Sequence, residues 1–357
     1  MYYRVHAQSY GWLGWAKNGE AAGTQGYAKR LEAIQIAVLP KGSAAPGSTS
    51  NAYIKEPTVM QYSAYADGIG WMSATDGSMA GTNGQSRMLE GLKVSIDNAE
   101  YSGGVVYNTY KQSYGWTGEK ENGAEAGNPG DGKRLEAVKI NLTGEMADQY
   151  DVYYRAYCQA FGWLGWAKNG QTAGTMNYSR RIEAVQVKLV NKGSAALGDT
   201  ANTYKQAGIR YRTHVQTYGW KDYSYDGESS GTTGAGKRLE AIQISFPESS
   251  MNQYIQYKTH VQTYGWQNWV TGGNVSGTSG ESKRLEAVQI KLTGTMADKY
   301  DIYYRVHTQT YGWLDWAKNG ESAGTEGLAK RLEAVQIVLV EKGGKAPGST
   351  TKPFVKK

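Results

Sequence analysis

One cysteine, three phenylalanines, four histidines and no long apolar run are what a chain of 357 residues has to work with. With Cys158 alone there is no disulfide framework and no thiolate cluster for a metal. No apolar stretch approaches the roughly 20 residues that a membrane-spanning helix needs. Met1 leads at once into strand-like sequence, with no basic and then apolar export leader. There is no Gly-x-x-x-x-Gly-Lys-Ser/Thr phosphate loop, Gly-x-Ser-x-Gly elbow, Cys/His pair or His-Glu-x-x-His. The expectation is therefore a protein that is not an enzyme, with no cofactor and no metal.

What is present is lopsided. Tyr (28) and Trp (11) far outnumber Phe (3), and both offer a flat apolar face with a polar handle suited to wet surfaces and half-buried strand faces. The net charge of +7 is spread through the chain without a basic run. Acidic partners are favoured weakly, a surface polymer as readily as anything else, and nucleic acid is not expected.

The sequence is built on a repeated Gly-Trp step, at Trp12, Trp71, Trp116, Trp163, Trp220, Trp266 and Trp313. Spacings between these residues are 59, 45, 47, 57, 46 and 47. Both long gaps hold small-residue segments, Lys41–Thr49 and Lys192–Thr200, and a third such segment, Lys342–Thr350, follows the last repeat. A second period of about 150 residues thus lies over one of about 50. The organisation read from this is a single repeat at 1–40, a linker at 41–58, and a three-repeat domain at 59–191. A linker at 192–208, a second three-repeat domain at 209–341 and a linker-like tail at 342–357 follow. The lone first repeat reads as part of an incomplete triplet.

Each unit is all β. Tyr304–Gln309 alternates, with Tyr304, Val306 and Thr308 on one face and Arg305, His307 and Gln309 on the other. A second strand is expected from Trp313 to Lys318, running into an Asn319-Gly320 hairpin turn, and a last strand from Leu332 to Leu339. Cys158 replaces Ala7, Val215 or Thr308 of other units and reads as a small strand residue. Three such units make a domain where one cannot close a core. This predicts tandem pseudo-threefold domains, β-trefoil or β-prism-like, with a seven-bladed β-propeller as the alternative.

Three sets of side chains stand out. A Glu recurs at Glu32, Glu90, Glu136, Glu183, Glu240, Glu286 and Glu333 and reads as a structural partner of backbone N–H groups or of a neighbouring Arg. The Gly-Trp indoles, kept in every unit, read as core plugs. Three residues on, Trp15, Trp166, Tyr223, Trp269 and Trp316 alternate with Ala74 and Glu119. On a continuous strand they would face away from the first Trp, so these five are the ligand candidates. His6, His214, His260 and His307 share one position, filled elsewhere by Tyr65, Tyr110 and Tyr157. With Arg4, Arg212 and Arg305 two residues before, and Gln8, Gln216, Gln262 and Gln309 two after, they form a face able to bond a polyol or anion.

The passages His260–Trp266, Trp269, Ser276–Thr278 and Arg284–Leu292 together resemble the clostridial hydrophobic repeat with a characteristic Trp, the ChW repeat. The likeness covers nearly all of the chain apart from the small-residue segments. The second unit departs most, with Asp67 in place of Gln and Met88 in place of Arg. The resemblance implies an exported, surface-attached or secreted protein of Gram-positive bacteria, extracellular or cell-surface in location, with roles in adhesion and polymer binding. It supplies no ligand and no catalytic set. The expected function is non-catalytic, multivalent binding of carbohydrate or cell-wall polymer. The alternatives are a self-assembly protein that completes its unpaired first repeat with another chain, as a homo-oligomer, and a glycan-active enzyme.

Overall fold

The computed structural model describes residues 1–357. Six of the seven repeats are made in the same way, seen most fully in the seventh, while repeat two runs Gly70–Thr75 as one continuous strand. A leading strand, Tyr300–Thr308, pairs antiparallel along its length with a closing strand, Leu332–Glu341. Alternation decides which side is buried: Tyr304, Val306 and Thr308 are excluded from solvent, while Arg305, His307 and Gln309 remain half-exposed.

Between these two strands the chain departs from the expected hairpin. Trp313 to Lys318 is not one strand but two short pieces, Gly312–Trp313 and Ala317–Lys318, which pair with opposite ends of the leading strand. The Asn319-Gly320 turn does form, with φ of +46° and +97°. The pieces on its two sides go to different partners. Ala317–Lys318 stays at home, whereas Ala323–Glu326 crosses to lie antiparallel on the closing strand of the preceding repeat, Ala287 opposite Gly324.

That crossing strand makes the domains. In residues 206–357, one of the two compact units of the chain, it joins repeat six to five (Gly277 to Ala241) and seven to six. The cycle closes when Gly231 of repeat five lies on Ala334 of repeat seven. In residues 1–205, the other unit, repeats two to four close likewise, Gly81 of repeat two lying on Ala184 of repeat four. Pairing closes in threes, so the propeller is not what forms. The sheets of each triplet also stay separate instead of joining into a barrel, which favours the prism-like over the trefoil-like expectation.

Each triplet encloses one apolar core. At its centre stand three buried tyrosines, Tyr62, Tyr107 and Tyr154 in one and Tyr211, Tyr257 and Tyr304 in the other. Each hydroxyl donates to a backbone carbonyl just before its own crossing strand, Tyr304 to Glu321 and Tyr257 to Asn274. A phenol brought this deep needs such an acceptor. Cys158 lies in the first core, and burial first, then the Glu183 carboxylate, pushes its thiol up to about 12.

The segments expected as linkers fold back as straps. Gly47, Gly198 and Gly348 lie against the indoles of Trp15, Trp166 and Trp316. The backbone of each Trp donates to the strap, to Ser48, Asp199 and Ser349. Each strap finishes as a short strand on the crossing strand of its own repeat, Tyr53–Lys55, Tyr204–Gln206 and Phe354–Lys356.

Candidate functional site

The half-exposed face of the leading strand carries the side chains singled out above. Arg305 reaches across so that its guanidinium sits 4.9 Å from the Trp313 ring and 4.9 Å from that of Trp316. Its Nε donates to Gln336 Oε1 at 2.7 Å. His307, directly opposite Trp313 in the ladder, meets that indole edge-on at 5.5 Å. Its Nδ1 lies 3.1 Å from Glu333 Oε2, while Glu333 Oε1 accepts from Arg331 Nε at 3.0 Å. His214 and His260 repeat this arrangement, and His6 a more open one. The candidate Gln309 sits at the strand end, where its backbone N–H bonds Arg331 O, and Gln8, Gln216 and Gln262 do the same in their repeats.

The recurring Glu is structural, as expected. All six in the closed triplets are buried, and five of them are held by the Arg two residues earlier. Where repeat two has Met88 instead, Glu90 accepts from the backbone of Gly130. Glu136, whose histidine position is Tyr110, has its carboxyl pushed up by burial, with Arg134 pulling it partly back.

The inward and outward assignment of the two tryptophans is reversed. Trp15, Trp166 and Trp316 are 7–8% exposed, covered by the straps. Trp12 and Trp71, by contrast, are open, and the other Gly-Trp indoles are half-exposed. The offset-of-three argument failed because Leu314 interrupts the strand by turning into the core, which brings both indoles to the same guanidinium. Only Tyr223 and Trp269, in repeats that no strap follows, remain half-exposed. Trp269 lies between Lys258 and Lys291 at 5.0 and 4.2 Å, and the Tyr223 hydroxyl donates to Gln243. In repeat three, Glu119 leaves that place empty, and a groove of about 400 Å³ opens beside Trp116 and Lys139.

Two features escaped the sequence reading. The residue before the Gly-Trp is the most open aromatic of repeats three, five, six and seven, with Tyr114, Tyr218 and Tyr264 55–63% exposed and Tyr311 42%; Tyr10 is open too, while Ile69 stands there in repeat two and Phe161 is half-exposed in repeat four. Each sits at a loop tip after a residue forced to positive φ, such as Thr310 at +80°. The second is that every Gly-Trp indole carries a cation. Where the leading strand offers Ser63 or Asn108 in place of Arg305, the closing strand offers Lys93 or Lys139 in place of Gln336. These lie 4.1 and 4.6 Å from Trp71 and Trp116. Arg155 does the same over Trp163. The paired exchange between two positions of the repeat was the available signal.

No helix is long and apolar enough to cross a membrane. A family model described as Clostridial hydrophobic W matches seven segments: 6–40, 65–98, 110–144, 157–191, 214–247, 260–294 and 307–341. No curated protein and no solved structure matches the chain.

Proposed function

Because the chain belongs to the ChW, or Clostridial hydrophobic W, family, we propose that it is a non-catalytic, multivalent binder of glycan or cell-wall polymer, acting as a secreted or surface-held adhesin. The observation that carries this reading is the recurrence of one surface cluster. It consists of an open aromatic at the loop tip, a partly open indole bearing a cation, and a His or Tyr at its edge. The aromatic offers a face on which a sugar ring stacks. The cation over each indole is half-exposed, so it can meet an acidic substituent of the polymer without leaving the ring.

Single sites of this kind are open and shallow, which suits weak binding. Repetition compensates, since tethered copies raise avidity by roughly 10²–10⁴ without any new contact. The ligand side therefore shifts from Trp15, Trp166 and Trp316, which the straps cover, to Tyr218, Tyr264 and Tyr311 with Trp220, Trp266 and Trp313. His214, His260 and His307 stay in the set with Arg212, Lys258 and Arg305, and Tyr223 and Trp269 flank it.

The test is co-sedimentation with insoluble peptidoglycan and a panel of polysaccharides. Replacing Tyr218, Tyr264 and Tyr311 together by Ala is expected to weaken retention about tenfold or more with an unchanged circular dichroism spectrum. Undiminished retention would remove these residues from the site, and reducing ends appearing in the panel would overturn the non-catalytic reading.

A further inference from the structure

Repeat three changes three positions of the common surface at once. Where repeat seven has Arg305, Trp316 and Gln336, it has Asn108, Glu119 and Lys139. The change at the aromatic place opens space. In repeat six that place holds Trp269, set between Lys258 and Lys291 at 5.0 and 4.2 Å. The matching residues of repeat three, Asn108 and Asn141, both line the groove of about 400 Å³, so the groove is the indole's place without its indole.

The other repeats close this place. Straps cover it in repeats one, four and seven, but repeat three runs directly into the short helix Glu145–Gln149. In repeat two, which also lacks the aromatic, Ala74 is buried within the continuous strand. One wall of the groove comes from the next repeat, where Gly170 donates its N–H to Ile140 O at 2.7 Å. The volume falls within the range of small-molecule sites.

The lining suits a polyhydroxylated ring. Trp116 is half-exposed and supplies an apolar wall. Asn108 lies opposite Lys139 in the ladder, and its Oδ1 is excluded from solvent without a hydrogen-bond partner. A buried acceptor in this state is costly and calls for a donor. Glu119, exposed beside it, offers two more acceptor oxygens, and Lys139 donates. The two charges cancel, whereas the same surface elsewhere is cationic, with Arg212, Arg305 or the pair Lys258 and Lys291. Donors for the acceptors, oxygens for Lys139, a C–H face for the indole and no net charge are together the properties of a neutral sugar.

We propose that the groove of repeat three binds one neutral pyranose unit, as a site apart from the loop-tip clusters. One ligand hydroxyl donates to Asn108 Oδ1, another donates to Glu119, and Lys139 donates to a hydroxyl oxygen, with the ring's C–H groups against Trp116. This deepens the glycan-binding reading and rests on it for the class of ligand, but on none of the residues named there.

Saturation-transfer NMR titration of the full chain tests it, with the methyl glycosides of glucose, galactose, mannose and N-acetylglucosamine as probes. Methyl glucuronide and methyl glucosaminide are the charged controls. A Kd of about 1 mM is expected for at least one neutral glycoside, with the charged ones about tenfold weaker. Glu119→Trp restores the ring that five repeats carry and should take binding below detection at about 20 mM. Asn108→Leu leaves the groove open and should weaken binding about tenfold, both variants keeping the parent circular dichroism spectrum. No neutral glycoside bound at about 20 mM, a preference for a charged one, or binding indifferent to both variants overturns the proposal. The triple variant at Tyr218, Tyr264 and Tyr311 should bind the glycosides as the parent does. Its polymer retention therefore tests the loop-tip reading separately.

Discussion

Tyr257 is buried at the centre of its triplet, where its hydroxyl donates to Asn274 O and accepts from Ile244 N at 3.0 Å. Burial pushes the phenol far above its ordinary range, only partly offset by the Ile244 N–H. One oxygen thus ties its own repeat to the repeat before it. Tyr257→Phe keeps the ring but strands the buried N–H of Ile244, costing about 1–3 kcal/mol when left unpaired, and gives up the bond to Asn274 as well. A loss of about 2 kcal/mol or more in urea unfolding is expected, with little change in the slope. These tyrosines were legible as an inward strand face. That their hydroxyls would converge was not, because the acceptors lie 17 residues on, where the crossing strand begins.

At the scale of the element, Asp301 clips the Asn-Gly turn and the strap to the head of the leading strand. It accepts from Asn319 at 2.7 Å and from Gly343 N at 3.0 Å, with Lys318 and Lys342 beside it. Burial alone would raise its carboxyl, but the bonds from Asn319, Lys318, Gly343 and Lys342 outweigh that and hold it well below the usual carboxylate range. The sign follows: a folded value below the unfolded one stabilises above pH about 4 and is lost as pH falls through the folded value. Asp151 does the same with Asn169, Lys168, Gly193 and Lys192. Asp301→Asn with Asp151→Asn is therefore expected to lower the melting temperature near pH 7 and to flatten its fall below pH about 4. Thermal scans from pH 2 to 7 check this, and a double variant melting in parallel with the parent at every pH would refute the clip. The small residues of the straps announced a change in the chain, but not its role, since a Gly-Ser-Ala run reads as flexible spacer. The same glycines prove to be there because an indole lies against them.

At the scale of the whole molecule, stability of the triplets depends on how closely repeats approach. Gly324 holds φ at +126°, and a Cβ would sit 2.4 Å from Glu286 O and 2.7 Å from the Ala287 Cα. Gly324→Ala adds both backbone strain and a backbone clash, so a fall of several degrees in melting temperature is expected, measured by calorimetry. At Gly23, with φ of +128°, a Cβ would meet only the side chains of Leu31 and Val5 at 3.3 and 3.8 Å, so Gly23→Ala adds the strain without the backbone clash and should cost less.

The repeat and its β character followed from the sequence by itself, because period-two alternation and a fixed spacing are local and survive in any tertiary setting. The recurring Glu was read correctly for a related reason, as its Arg stands only two residues away. Tertiary structure decided which Trp faces water. One broken strand and one returning strap reversed the Gly-Trp step and the aromatic three residues on, and the strap lies outside the repeat that it covers. The loop-tip tyrosines became visible only with the turn that holds them out. That Leu31, Ile34 and Ile36 stand open while Leu332, Val335 and Ile337 at the same repeat positions are buried had to be seen in place, because exposure is a property of neighbours.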